Sequence, residues 1–155
     1  KSPTPPKGVQ PITNFEASRY LGKWYEVARL ENRFERGLEQ VTATYGKRSD
    51  GGISVLNRGY DPVKNKWNES EGKAYFTGEP TTAALKVSFF GPFYGGYNVI
   101  RLDDKYQYAL VSGPNRDYLW ILSRTPTIPD AVKQDYLNTA RSLGFRVDQL
   151  VWVKQ

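Results

Sequence analysis

Two kinds of charged residue in this chain stand where they could do chemistry. Glu26 lies in "KWYEVAR" (23–29), an alternating stretch that would set it among apolar neighbours if it forms a strand. A carboxyl buried in that way shifts toward its neutral form and could act as an acid, but no partner group for it is evident. Arg33 and Arg36 lie in "RLENRFERGLEQ" (29–40), beside Phe34 and Leu38. Guanidinium groups there could meet a carboxylate or phosphate headgroup, or could belong to a solvated charged loop. The chain contains no histidine, cysteine or methionine. Ser/His/Asp and Cys/His catalysis are thereby excluded, and the usual nitrogen and sulfur ligands of zinc are missing. Neither a cofactor nor a metal is expected.

Composition narrows the classes further. With 155 residues the chain suits one domain that needs no disulfide to hold its core. The net charge is +6, from 22 basic and 16 acidic residues. The basic residues are scattered without a Lys/Arg run, which argues against nucleic acid as a partner. No apolar stretch is long enough for a helical membrane span. The opening "KSPTPPKGV" is polar and proline-rich. It reads as a flexible lead-in over residues 1–12, resembling the start of a mature chain from which something has been removed. Residues 13–155 form the domain.

The elements that must position the charged residues are mostly strands. The pattern has period two from Lys23 to Arg124, giving eight strand candidates: 23–29, 41–45, 52–60, 71–76, 84–90, 96–102, 108–112 and 118–124. Turn residues cluster in "SDGG", "TGEPT" and "SGPNRD". Eight short strands with short links predict an antiparallel meander, and closure into a barrel removes its edges. Asn14 is expected to cap a helical turn over Ala17–Tyr20 that Gly22 stops. A second helix is predicted over 127–145, with Pro129 near its start and Gly144 at its end, packed on the outside of the barrel. A last strand is expected over 149–154. The fold class is all-β: an eight-stranded up-and-down barrel with a C-terminal helix and a ninth strand.

The order of these elements, together with "YLGKWYEVAR", "RFERG", "VTATY", "EGKAYFTG", "LKVSFFGPFYGGYNVI" and "YLWILSRTPTIP", resembles the lipocalin family, and within it the bacterial outer-membrane branch. Apolipoprotein D and the plant temperature-induced lipocalins resemble it more distantly. The resemblance covers residues 8–155. It implies a barrel with a closed floor and an open mouth, Trp24 in the floor, Arg124 packed on its ring, and Gly22 at the turn beneath. These three are structural. The family's Thr-Asp-Tyr signature is altered here to Leu102-Asp103-Asp104-Lys105-Tyr106, which puts the local turn in doubt.

Alternate residues of a barrel strand face inward. Trp24 sets that parity for the first strand, placing Glu26 and Ala28 inside; Arg124 sets it for the eighth, placing Leu122, Trp120 and Tyr118 inside. The family match supplies the remaining faces. The resulting ligand-binding set is Ala28, Tyr45, Val55, Asn57, Ala74, Phe76, Val87, Phe89, Tyr97, Trp120 and Leu122. Small inward residues, Ala28, Ala43, Gly72, Ala74 and Ala109, are expected to leave space for a mostly hydrocarbon ligand. Phe93 and Tyr94 are expected on a loop at the mouth. The resemblance implies a carrier of fatty acids or lysophospholipids and not an enzyme. Its parent would be lipid-anchored on the periplasmic side of the outer membrane, this fragment would be soluble, and a homodimer is possible. A second reading is an engineered or reconstructed barrel binding a non-natural ligand such as a dye, which the missing Cys, Met and His would suit.

Overall fold

The computed structural model describes residues 2–155. After a one-turn helix α1 (Ala17–Tyr20), eight strands follow: β1 (Gly22–Leu30), β2 (Glu39–Lys47), β3 (Ile53–Asp61), β4 (Lys66–Phe76), β5 (Ala84–Phe90), β6 (Phe93–Leu102), β7 (Tyr108–Ser112) and β8 (Leu119–Ser123). Helix α2 (Asp130–Ser142), a 3₁₀ turn (Val147–Gln149) and β9 (Leu150–Trp152) complete the chain. The strands pair in the order β2-β3-β4-β5-β6-β7-β8-β1-β9, and β1 also pairs with β2, so the sheet closes into the expected eight-stranded barrel. One edge of β1 bonds β8. The other bonds β2 at Gly22–Tyr25 and β9 at Ala28–Leu30.

Two apolar clusters result. One fills the barrel, from Phe15, Tyr20 and Trp24 up to Val55, Val111 and Leu122. The other lies between the barrel wall and α2, joining Val27, Leu30, Ile100, Leu110, Leu119 and Ile121 to Tyr136, Ala140 and Phe145. The Tyr136 hydroxyl donates to the Tyr108 carbonyl at 2.9 Å, tying the helix to β7.

The floor holds the expected aromatic–cation pair. Trp24 is fully buried and its Nε1 donates to the Tyr20 carbonyl at 2.8 Å. The Arg124 guanidinium lies 3.9 Å from the Trp24 ring centroid. Its nitrogens donate to the carbonyls of Lys23, Arg19 and Tyr106 at 3.0–3.1 Å. Gly22 has φ +100, and an added Cβ would touch the Arg124 Nη1 at 3.4 Å, so glycine suits both the left-handed backbone and the close approach. The altered signature still builds a turn. Asp103 Oδ1 accepts from the backbone N–H groups of Gln107 and Tyr108 at 2.7 Å, and Oδ2 accepts from that of Lys105.

Several expectations are corrected. Asn14 does not cap α1. It adopts φ 60, and the capping position is Glu16, with no side-chain bond. Helix α2 starts after Pro129 and ends at Ser142, with Gly144 beyond it at φ +91. Strand β4 begins at Lys66, five residues early, because its outer half pairs with β3 as an exposed ladder that needs no apolar alternation. The lead-in is docked from Lys7 onward. Val9 is buried, Ile12 bonds Val99 and Ala83, and Arg116 donates to the Lys7 carbonyl at 2.6 Å.

The floor contacts set an order of stability effects. Trp24→Ala should cost about 3–5 kcal/mol, as for other large aromatic truncations. Arg124→Lys should cost about 1–3 kcal/mol, because an ammonium cannot span three carbonyls and stack on a ring at once. Urea unfolding followed by circular dichroism checks the order, with Trp24→Ala the more destabilising.

Candidate functional site

The barrel encloses a cavity with about 850 Å³ of free space, mouth included. Of the residues read as ligand-binding, Tyr45, Val55, Asn57, Ala74, Val87, Phe89, Tyr97, Trp120 and Leu122 line it. Glu26 and Ala43, read as inward, line it as well, together with Val41, Ile53, Leu85 and Val111.

Ala28 and Phe76 do not. The pairing of β1 with β8 runs Glu26↔Leu122 and then Ala28↔Ile121, so a bulge at Val27 shifts the parity. Ala28 is thereby turned into the outer cluster beneath α2. Arg29 comes opposite Trp120 instead, so Trp120 does not face the small Ala28. Phe76 keeps inward parity but sits below the cavity, its ring 6.1 Å from that of Phe15. Gly72 leaves no space either, because a Cβ there would lie 2.7 Å from the Phe89 ring, which already fills the position. Phe93 and Tyr94 open β6 and are not part of a loop.

Four lining residues, Phe15, Tyr20, Glu35 and Gly96, escaped the reading. Phe15 and Tyr20 reach the cavity floor from outside the strands, so alternation could not find them. Glu35 enters from the β1–β2 loop. Arg29 is not among the lining residues but backs Glu26. It is almost fully buried, with Nη1 donating to Glu26 Oε2 at 3.0 Å, Nε to Glu31 Oε1 at 2.7 Å, and Nη2 to the Leu38 carbonyl at 3.1 Å. Glu35 Oε2 accepts from Trp120 Nε1 at 2.9 Å and from Asn32 Nδ2 at 3.0 Å, which ties the loop to the cavity wall. Glu26 thus has the partners that the sequence did not reveal.

The site has two polar regions in an otherwise apolar wall. At the floor the hydroxyls of Tyr20, Tyr97 and Tyr45 form a chain, 2.6 and 2.7 Å apart. Burial pushes all three phenols up, so they stay protonated. On the wall, burial and then the neighbouring Glu35 carboxylate raise the Glu26 carboxyl well above its ordinary 4.5, and Arg29 opposes them incompletely. The short Glu26–Arg29 contact would suggest a plain ion pair. The carboxyl is nevertheless raised, because Arg29 is shared with Glu31 and also bonds the Leu38 carbonyl.

A family described as the lipocalin-like domain matches residues 15–155. The outer membrane lipoprotein Blc of Citrobacter freundii is 68% identical over 154 residues, 99% of this chain and 87% of the relative. Apolipoprotein D of Rattus norvegicus is 35% identical over 136 residues, 83% of this chain and 69% of the relative. The solved structure of insecticyanin from the tobacco hornworm Manduca sexta superposes with a TM-score of 0.77 at 20% identity, over 99% of this chain and 88% of that one, a likeness of fold.

The raised Glu26 has a consequence for stability. A carboxyl whose folded-state value lies above its unfolded one stabilises the fold while protonated, and that contribution is lost as pH climbs through the raised value. Glu26→Gln removes the titration. Its stability relative to the wild type should therefore rise as pH climbs above the ordinary 4.5, by up to about 1.4 kcal/mol per unit of elevation. Urea midpoints at a series of pH values above that point check it; a constant difference would show that Glu26 does not titrate abnormally.

Proposed function

The chain belongs to the lipocalin family, and from that premise we propose that it carries long-chain fatty acids or lysophospholipids at the bacterial cell envelope. The observation that carries this reading is the cavity itself. It is closed below by the Trp24–Arg124 floor, and its wall is mostly aliphatic and aromatic. Such a wall suits an alkyl chain, and each buried methylene adds roughly 0.8 kcal/mol. The relatives named outer membrane lipoproteins support placing the full-length protein at the outer membrane, lipid-anchored and facing the periplasm. In this reading the protein binds and releases its cargo without transforming it.

In the proposed complex the chain lies along Trp120, Leu122, Val55 and Val87, with its inner end toward the tyrosine hydroxyls. Titration with a fluorescent fatty acid should saturate at one ligand per barrel in the micromolar range or below, and absence of saturation would sink the reading. Trp120→Ala should weaken binding by about 1–3 kcal/mol, since it removes an aromatic wall and frees the Glu35 contact that holds the loop. The variant's circular dichroism spectrum should stay that of the wild type.

A further inference from the structure

The exposed apolar residues are not scattered. Among the described residues the large hydrophobic side chains open to solvent are Phe34, Val63, Trp67, Phe89, Phe90, Phe93 and Trp152. All but Trp152 lie at the mouth. The floor is marked by Trp24 at the start of β1, so the β1–β2, β3–β4 and β5–β6 connections all fall at the open end. Phe34, Val63, Phe90 and Phe93 stand at or beside their tips, 70%, 91%, 78% and 69% exposed. The Phe90 and Phe93 rings lie nearly parallel, 6.3 Å apart, as one apolar plate. A soluble protein has no use for such a cluster unless something covers it.

The charges beside these tips identify what does. Arg33 lies over the Phe34 ring, its guanidinium carbon 4.9 Å from the centroid, and Arg36 follows two residues on. Lys64 adjoins Val63. Three acids at or beside these connections accept hydrogen bonds from within the chain. Glu31 accepts from Arg29 and from the Gly37 N–H, Glu35 accepts from Trp120 and Asn32, and Asp61 accepts from the Val63 and Lys64 N–H groups. Aromatic side chains with outward cations suit a boundary that is apolar on one side and anionic on the other. The chain also passes Lys7 at this end, held there by Arg116 of the β7–β8 loop.

We propose that the open end docks on an anionic phospholipid bilayer, with Phe34, Val63, Phe90 and Phe93 entering the headgroup–acyl boundary and Arg33, Arg36 and Lys64 lying among the phosphates. The mouth then faces the bilayer directly, and a lipid passes between membrane and cavity with little of its chain in water. This rests on the carrier reading, although docking can be measured without it.

Flotation with vesicles of phosphatidylcholine and phosphatidylglycerol, and with pure phosphatidylcholine, tests the proposal. The wild type should float with the anionic vesicles and much less with the neutral ones. Phe34→Ser/Phe90→Ser/Phe93→Ser should bind at least about tenfold more weakly. Arg33→Gln/Arg36→Gln/Lys64→Gln should lose about fivefold per cation. None of these residues lines the cavity, so fluorescent fatty acid titration in vesicle-free buffer should match the wild type for both variants. Flotation with failed fatty acid titration would defeat the carrier reading and leave docking standing. Docking is overturned if the wild type does not float, or if the serine variant floats equally well. It is also overturned if sedimentation velocity shows a dimer that the serine variant dissociates while neither protein binds vesicles, because a second copy then covers the face.

Discussion

A barrel of eight strands needs its first and last strands to meet, and here the floor makes them meet. Arg124 lies just past the end of β8, Trp24 is near the start of β1, and the guanidinium stacks on the indole while binding three carbonyls from three separate segments. A delocalised cation is weakly hydrated and tolerates such partial burial, and its planar fork serves several acceptors at once. With the floor closed, interior side chains cannot exchange with solvent from below. The cavity consequently opens only at the other end.

Above the floor the chain concentrates its polar groups in a few places. Three tyrosines satisfy one another through a chain of hydroxyls, and one arginine serves two carboxylates, Glu26 and Glu31. Isolated, any of these groups would be costly to bury. The groups near the entrance also hold the mouth loop. Arg29 reaches the Leu38 carbonyl and Trp120 reaches Glu35, so the segment that borders the entrance is fastened to the wall it covers.

The barrel was legible because alternation survives wherever one face is polar, as in "VTATY", and because turn residues separate the strands. It failed where both faces are buried. In "EVARL" the inner side belongs to the barrel and the outer side to α2, so Val27, Ala28 and Leu30 are all apolar and nothing in their types marks the bulge. Ile100 marks a comparable break in β6, again under the helix. Gly72 shows a different kind of blindness. A small residue reads as space, yet the Phe89 ring on the adjacent strand occupies it. Glu35 lay in a loop, where no period links a residue to a face, and only tertiary contact brings it to Trp120. Side-chain parity is thus readable strand by strand, while complementarity between strands and loops is not.

The course of the first residues bears on kinetics. The chain runs from Lys7, beside the β7–β8 loop at the open end, down to Ile12 and Phe15 at the floor. A leash joined upstream of Lys7 would pull from the same end that opens. Encounter between that end and the surface holding the leash then becomes intramolecular. The local concentration is set by leash length and falls as the leash grows, reaching the millimolar range for short flexible connections. Exchange of cargo would in that case depend little on how many copies the cell makes, and strongly on how many residues separate the leash's anchor from Lys7.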